Sequence, residues 1–113
     1  MADKKLSDNA TKAFQEDPKF AQAYEDAPKI VSAPPKEEKA RLYGLFKVGC
    51  NEDFKEAYPT MPGVFNFYRR AMAESWKKVL DDGITPEQAR EQYVALIEEW
   101  KQKYGFDPNK VAE

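Results

Sequence analysis

Two side chains at helical spacing carry the chemistry most open to a ligand, Tyr43 and Lys47 in the stretch Leu42-Tyr43-Gly44-Leu45-Phe46-Lys47. Four residues apart in a helix, they stand one above the other on the same face, a flat aromatic ring beside a mobile ammonium. Such a pair can hold a nucleotide, the ring stacking on the base and the ammonium meeting a phosphate. The plainer reading of the same spacing is a half-buried tyrosine with a solvated lysine neighbour. Catalysis has little to work with. The chain has no histidine, its one cysteine, Cys50, has no evident activating base, and no glycine-rich phosphate loop follows a strand. Without histidine and with one cysteine no zinc site of the usual ligands can form, and Asn51-Glu52-Asp53 lacks the spaced oxygens and central glycine of a calcium loop.

The elements that must position Tyr43 and Lys47 are helical throughout. Residues 1–9 are polar, with Ser7 or Asp8 placed to cap a short helix bearing Ala10, Ala13 and Phe14. Pro18 suits the first position of the next helix, whose face carries Phe20, Ala23, Tyr24 and Ala27, and Pro28 ends or kinks it. Pro35 opens a third helix that runs to about Cys50, with Gly49 or Asn51 as its stop. Residues 51–62 read as an ordered loop pinned by Phe54 and Tyr58. After Pro62-Gly63 the residues Phe65, Tyr68, Met72, Ser75, Trp76, Val79 and Leu80 recur at helical spacing. Thr85-Pro86-Glu87-Gln88 is the sharpest local signal: a threonine cap, proline at the first helical position, and glutamine three after the cap. It predicts a helix over residues 86–104 bearing Tyr93, Ile97 and Trp100, closed by Gly105, with an irregular tail beyond. No segment alternates with period two, so the fold class is all-α, four main helices with a short extra N-terminal one.

The 113 residues fit one domain with one core, divided as an extension over 1–17, a domain over 18–105 and a tail over 106–113. A net charge of −2 gives no general pull on polyanions, so nucleic acid is set aside and an acidic membrane would need a local basic patch. No run approaches the roughly 20 apolar residues that span a bilayer. A lone cysteine points to a reducing compartment, read as cytoplasmic with mitochondrial as the alternative.

Taken in order, several short motifs resemble the acyl-CoA-binding protein family. They are Leu42-Tyr43-Gly44-Leu45-Phe46-Lys47, Met61-Pro62-Gly63 followed by Phe67, Trp76, Thr85-Pro86-Glu87-Gln88-Ala89, Tyr93 and Lys103-Tyr104-Gly105, spread over about three quarters of the chain. The resemblance implies an up-down-down-up four-helix bundle that carries long-chain acyl-CoA esters and is not an enzyme, with no cofactor beyond that ligand. It implies Tyr43 at the adenine-ribose end, Lys47 at the 3′-phosphate and Tyr93 on the same head group. Phe46 stands where the family usually has tyrosine. Met72 replaces a lysine that grips the phosphate; Arg69 and Arg70 lie nearby in sequence, and Arg69, three residues earlier, substitutes only if its longer side chain reaches back along that face. Tyr24 replaces a small alanine in the pocket, Pro28 a lysine, and Lys39-Ala40 larger apolar residues of the acyl groove. These replacements motivate the alternative that the fold serves as a structural or accessory subunit of a larger, possibly mitochondrial, assembly with a protein partner.

Overall fold

The computed structural model describes residues 6–110, and everything below concerns those residues. Six α-helices form: α1 (Asp8–Glu16), α2 (Pro18–Asp26), α3 (Lys36–Gly49), the single turn α4 (Phe54–Ala57), α5 (Phe67–Asp81) and α6 (Pro86–Tyr104). The ends obey the local chemistry. Ser7 caps α1 through its hydroxyl, Asp17 caps α2 just before Pro18, and Thr85 and Gln88 close a reciprocal capping box on α6. Pro28 ends α2 by turning it into the short 3-10 segment Ala27–Lys29. At the far end of α3, Asn51 takes the left-handed conformation, φ 56°, that asparagine tolerates better than most residues.

α3 is the helix that the others enclose. It packs on both α5 and α6, α2 packs on α6, and α1 lies on α2. Its direction against α6 follows from paired contacts. Glu38, in its first turn, accepts hydrogen bonds from the Trp100 indole at 2.8 Å and the Tyr104 hydroxyl at 3.0 Å, while Arg90 donates to the carbonyl of Gly49 at 2.8 Å. The start of α3 thus meets the end of α6 and the reverse, so the two run antiparallel. Phe20, Leu45, Trp76, Val79, Ile97 and Trp100 are the large side chains of the core, with Ala10 and Ala13 of α1 joining it.

α3 and α5 approach so closely that one position tolerates nothing beyond a hydrogen. A Cβ at Gly44 would sit 2.8 Å from the backbone oxygen of Ser75, and no side-chain rotation could relieve it. Gly44→Ala gains roughly 1 kcal/mol of helix propensity but must force the helices apart, at about 1–3 kcal/mol. We expect a net loss of up to about 2 kcal/mol in urea unfolding, opposite in sign to the same change at an exposed helical glycine.

A second tie holds α2 to α6. Asp26, buried, takes the Lys101 ammonium at 2.9 Å and the Gln22 amide at 2.9 Å. Burial raises its pKa, but Lys101, Gln22 and Lys29 together outweigh that and hold the carboxyl below its ordinary value. A depressed carboxylate stabilises fully above its unfolded value and loses that contribution as pH falls through the lower folded one. Asp26→Asn should therefore lower the thermal midpoint at neutral pH and flatten its decline below about pH 4. Thermal melts across that range check both.

Two expectations are corrected by the structure. The long helix α5 starts at Phe67, because residues 63–66 form a hydrogen-bonded turn, so Phe65 lies outside it; Phe65, and within α5 Tyr68 and Leu80, face solvent instead of the core. The loop over 51–62 contains α4, capped by Asp53. The tail is docked as far as residue 110: Val31 and Ser32 donate to the carbonyls of Gly105 and Tyr104, Asp107 donates to that of Lys29, and Lys110 donates to that of Ile30. Residues 1–5 and 111–113, expected to be polar ends, lie outside the described residues.

Candidate functional site

α3 brings Tyr43, Phe46 and Lys47 to neighbouring rows of one surface, and the structure divides them between two ring clusters. In the first, the Tyr43 hydroxyl shares a 3.0 Å hydrogen bond with that of Tyr58, and the Tyr43 ring meets Trp76 edge to face at 6.2 Å. Phe54 and Tyr58 also stand edge-on to Trp76, at 5.2 and 5.9 Å. Lys47 holds its ammonium 5.6 Å from the centre of the Tyr43 ring and 5.9 Å from that of Trp76. The exposed Arg69 guanidinium lies 4.9 Å from the Tyr58 ring. Tyr43, Lys47 and Arg69 are therefore gathered into one aromatic and cationic array. Met72 is half-buried on α5, one turn before Trp76.

Burial, with the Tyr58 hydroxyl second, raises the pKa of Tyr43, so it stays a neutral donor and acceptor at physiological pH. Lys47 has no carboxylate partner among the described residues. Rings attract an ammonium without cancelling its charge, so Lys47 remains able to receive an anion. Beside it opens a cleft of about 410 Å³ lined by Trp76, Ser7, Asn9, Glu52 and Glu56 among others. Glu52 is engaged there by the Ser7 hydroxyl at 2.6 Å. Trp76 itself is buried, and its indole N–H has no acceptor among the described residues.

The second cluster fills the space between α1, α2, α3 and α6. Tyr24 stacks on Phe46 at 5.1 Å and 22°, Phe14 lies 5.1 Å from Tyr24, and Phe20 lies 5.8 Å from Phe46. Tyr93 is only 2 % exposed, edge-on to Phe20 at 5.1 Å and beside Phe46 at 5.9 Å. Lys47 is thus not flanked by two phenol rings, Tyr43 and Tyr93, as the motifs led one to expect; its aromatic neighbours are Tyr43 and Trp76. The reason is the inward direction of Tyr93, on the face of α6 shared with Ala89, Ile97 and Trp100. A second, more apolar cleft of about 450 Å³ opens towards the other end of α3, lined by Pro28, Ile30, Val31, Lys39, Leu42 and Trp100 among others.

Sequence reasoning overlooked Tyr58 and Trp76 as parts of this array. The sequence presents Tyr58 as a loop anchor and Trp76 as a core residue of its helix and a family motif, with nothing to join them to Tyr43. The available signal was Asp53, whose cap forms α4 and so aims Tyr58 back at α5. Cys50 is buried, and burial, helped by Glu52, pushes its thiol up to about 12, which leaves no nucleophile there. Among the described residues no group of histidine, cysteine or acidic side chains could hold a metal, and no helix is long and apolar enough to cross a membrane.

Comparison with known proteins agrees with the motif order. The family described as acyl CoA binding protein matches residues 17–97. The chain is 33 % identical over 76 residues to acyl-CoA-binding protein homolog 1 of Caenorhabditis elegans, covering 67 % of this chain and 83 % of that one. It is 32 % identical over 91 residues to the acyl-CoA-binding protein of Saccharomyces cerevisiae, covering 74 % of this chain and 95 % of the yeast protein. No solved structure matches. A family match over most of the chain, two relatives above 30 % identity and an all-helical fold agree: the chain belongs to the acyl-CoA-binding protein family.

Proposed function

We propose that the protein binds long-chain acyl-CoA esters and carries them within the cell, without catalysing their conversion. The observation that carries this reading is Lys47, an ammonium poised over two rings and claimed by no carboxylate among the described residues. In the proposed complex Lys47 meets the 3′-phosphate of the head group and Tyr43, tied to Tyr58, meets its adenine-ribose end. Arg69 stands close enough to the array to add a second charge where Met72 cannot. The acyl chain follows the surface of α3 over Phe46 towards the cleft at Leu42 and Trp100. The rise from Lys47 back to Leu42 is about 8 Å, so a long chain can span it.

Titration calorimetry with palmitoyl-CoA and free CoA tests the proposal. Heat from palmitoyl-CoA at micromolar protein, larger than that from free CoA, is expected; no heat from either would overturn it. The Tyr24–Phe46 stack lies across the proposed path. Tyr24→Ala should tighten palmitoyl-CoA binding about tenfold, since two further buried methylenes at about 0.8 kcal/mol each suffice, while free CoA binds as before. An unchanged palmitoyl-CoA affinity would show that Tyr24 is off the path.

The same ring stack favours one other reading, in which the fold serves as an accessory module and the rings are packing alone. A silent titration together with a stable complex recovered from cells would establish it.

A further inference from the structure

We infer that the turn of residues 63–66, with the first turn of α5, is a membrane-docking tip that inserts into the interface of an anionic lipid bilayer. Of the six large apolar side chains most exposed among the described residues, four lie here: Val64, Phe65, Phe67 and Tyr68, at 60, 90, 76 and 75 % exposure. Nothing in the fold needs them apolar, and they are consecutive apart from Asn66. Apolar groups this exposed remain in water only at a cost that burial elsewhere would recover.

The tip is preformed. Asn66 donates to the carbonyl of Gly63 at 3.0 Å, which sets Val64 and Phe65 at the corner, and Arg70 donates to the carbonyl of Pro62 at 2.7 Å, which fixes the turn to α5. Insertion therefore orders little new chain.

Charge identifies the occupant. The whole chain carries −2, yet residues 57–73 hold two arginines, Arg69 and Arg70, and no carboxylate. Arg70 pairs with Glu74 at 3.4 Å, whereas Arg69 keeps an exposed guanidinium above Tyr58. Each basic side chain near an anionic surface adds about fivefold in affinity, and phenylalanine and tyrosine settle at the boundary between headgroups and acyl chains. A narrow protruding corner suits a soft interface better than the broad, complementary face of a protein partner.

The inference does not depend on ligand binding, so vesicle sedimentation of the unliganded full chain tests it apart from the titrations above. The chain should sediment with phosphatidylcholine vesicles containing about one third phosphatidylserine, and several-fold less with phosphatidylcholine alone. The double variant Phe65→Asp/Phe67→Asp should lose about tenfold or more in vesicle partitioning and keep the wild-type thermal midpoint, since both side chains lie outside the core. In Phe65→Trp, the added indole should shift its emission to shorter wavelength when anionic vesicles are mixed in. Wild-type protein left in the supernatant with both vesicle types would overturn the inference, as would a double variant that sediments like wild type. A dimer that dissociates on Phe65→Asp/Phe67→Asp, with no vesicle binding, would also overturn it and give the face to a second copy of the chain.

Discussion

Lys47→Ala is expected to weaken palmitoyl-CoA binding about ten- to a hundredfold and to leave the binding of palmitic acid nearly unchanged. The range comes from removing a charge-assisted hydrogen bond to a phosphate, about 1.5–3 kcal/mol, or one to two decades of affinity. Stability should fall by no more than about 1–2 kcal/mol, because Lys47 forms no ion pair among the described residues and its two ring contacts contribute about 0.5–1 kcal/mol each at a partly exposed site. The comparison with the free acid matters more than the size of the loss. Palmitic acid has no nucleotide, so equal losses for both ligands would mean that Lys47 does not read the head group. Lys47→Arg keeps the charge and should recover most of the affinity, while raising salt should weaken the wild type and leave Lys47→Ala less affected.

Trp76→Ala should be the most damaging single change to the fold. The side chain is almost wholly buried, and Tyr43, Phe54 and Tyr58 all rest edge-on against it. Removing a buried tryptophan costs about 3–5 kcal/mol, a large part of the 5–15 kcal/mol that holds a domain of this size together. That should lower the thermal midpoint by roughly 15–30 °C. Trp76→Phe separates packing from polarity. It keeps a ring in the same place and removes an indole N–H that finds no acceptor among the described residues, so its cost should be less than half as large. Head-group affinity should follow the ring: retained in Trp76→Phe and lost in Trp76→Ala at temperatures where that variant is still folded, since Tyr43 and Lys47 take their positions from Trp76. A Trp76→Ala protein within 1 kcal/mol of wild type in urea unfolding would refute this account of the array.

Both predictions turn on a residue pair visible in the chain and on a partner that was not. Tyr43 and Lys47 share a helical face by spacing alone, and that much survives in the structure. Their partner across the cleft does not follow from spacing. Tyr93 recurs at intervals of three and four with Ala89, Leu96, Ile97 and Trp100, and the same periodicity describes a ring turned to a ligand or a ring turned to the core. The fold resolves it in favour of the core, because Phe14 and Phe20 arrive from α1 and α2 to close over that side. Phe65 shows the converse. It continues the period of α5 backwards, but the turn after Gly63 stops the helix short, and its apolar side chain is left in solvent.

What the amino-acid order alone determined is local. The capping box at Thr85, the proline that opens α2 at Pro18, the glycine that closes α6 at Gly105, the all-helical class and the placement of Tyr43 above Lys47 each depend on residues within about one helical turn of one another. What only the tertiary structure decided is which groups from distant segments meet: Tyr58 with Tyr43, Trp76 beneath Lys47, Tyr24 against Phe46, and an aromatic turn with nothing packed on it. Those meetings depend on how closely α3 and α5 approach across Gly44 and on where α1 comes to rest. Periodicity reports that a face is apolar but carries no information about which other face, or which ligand, will cover it.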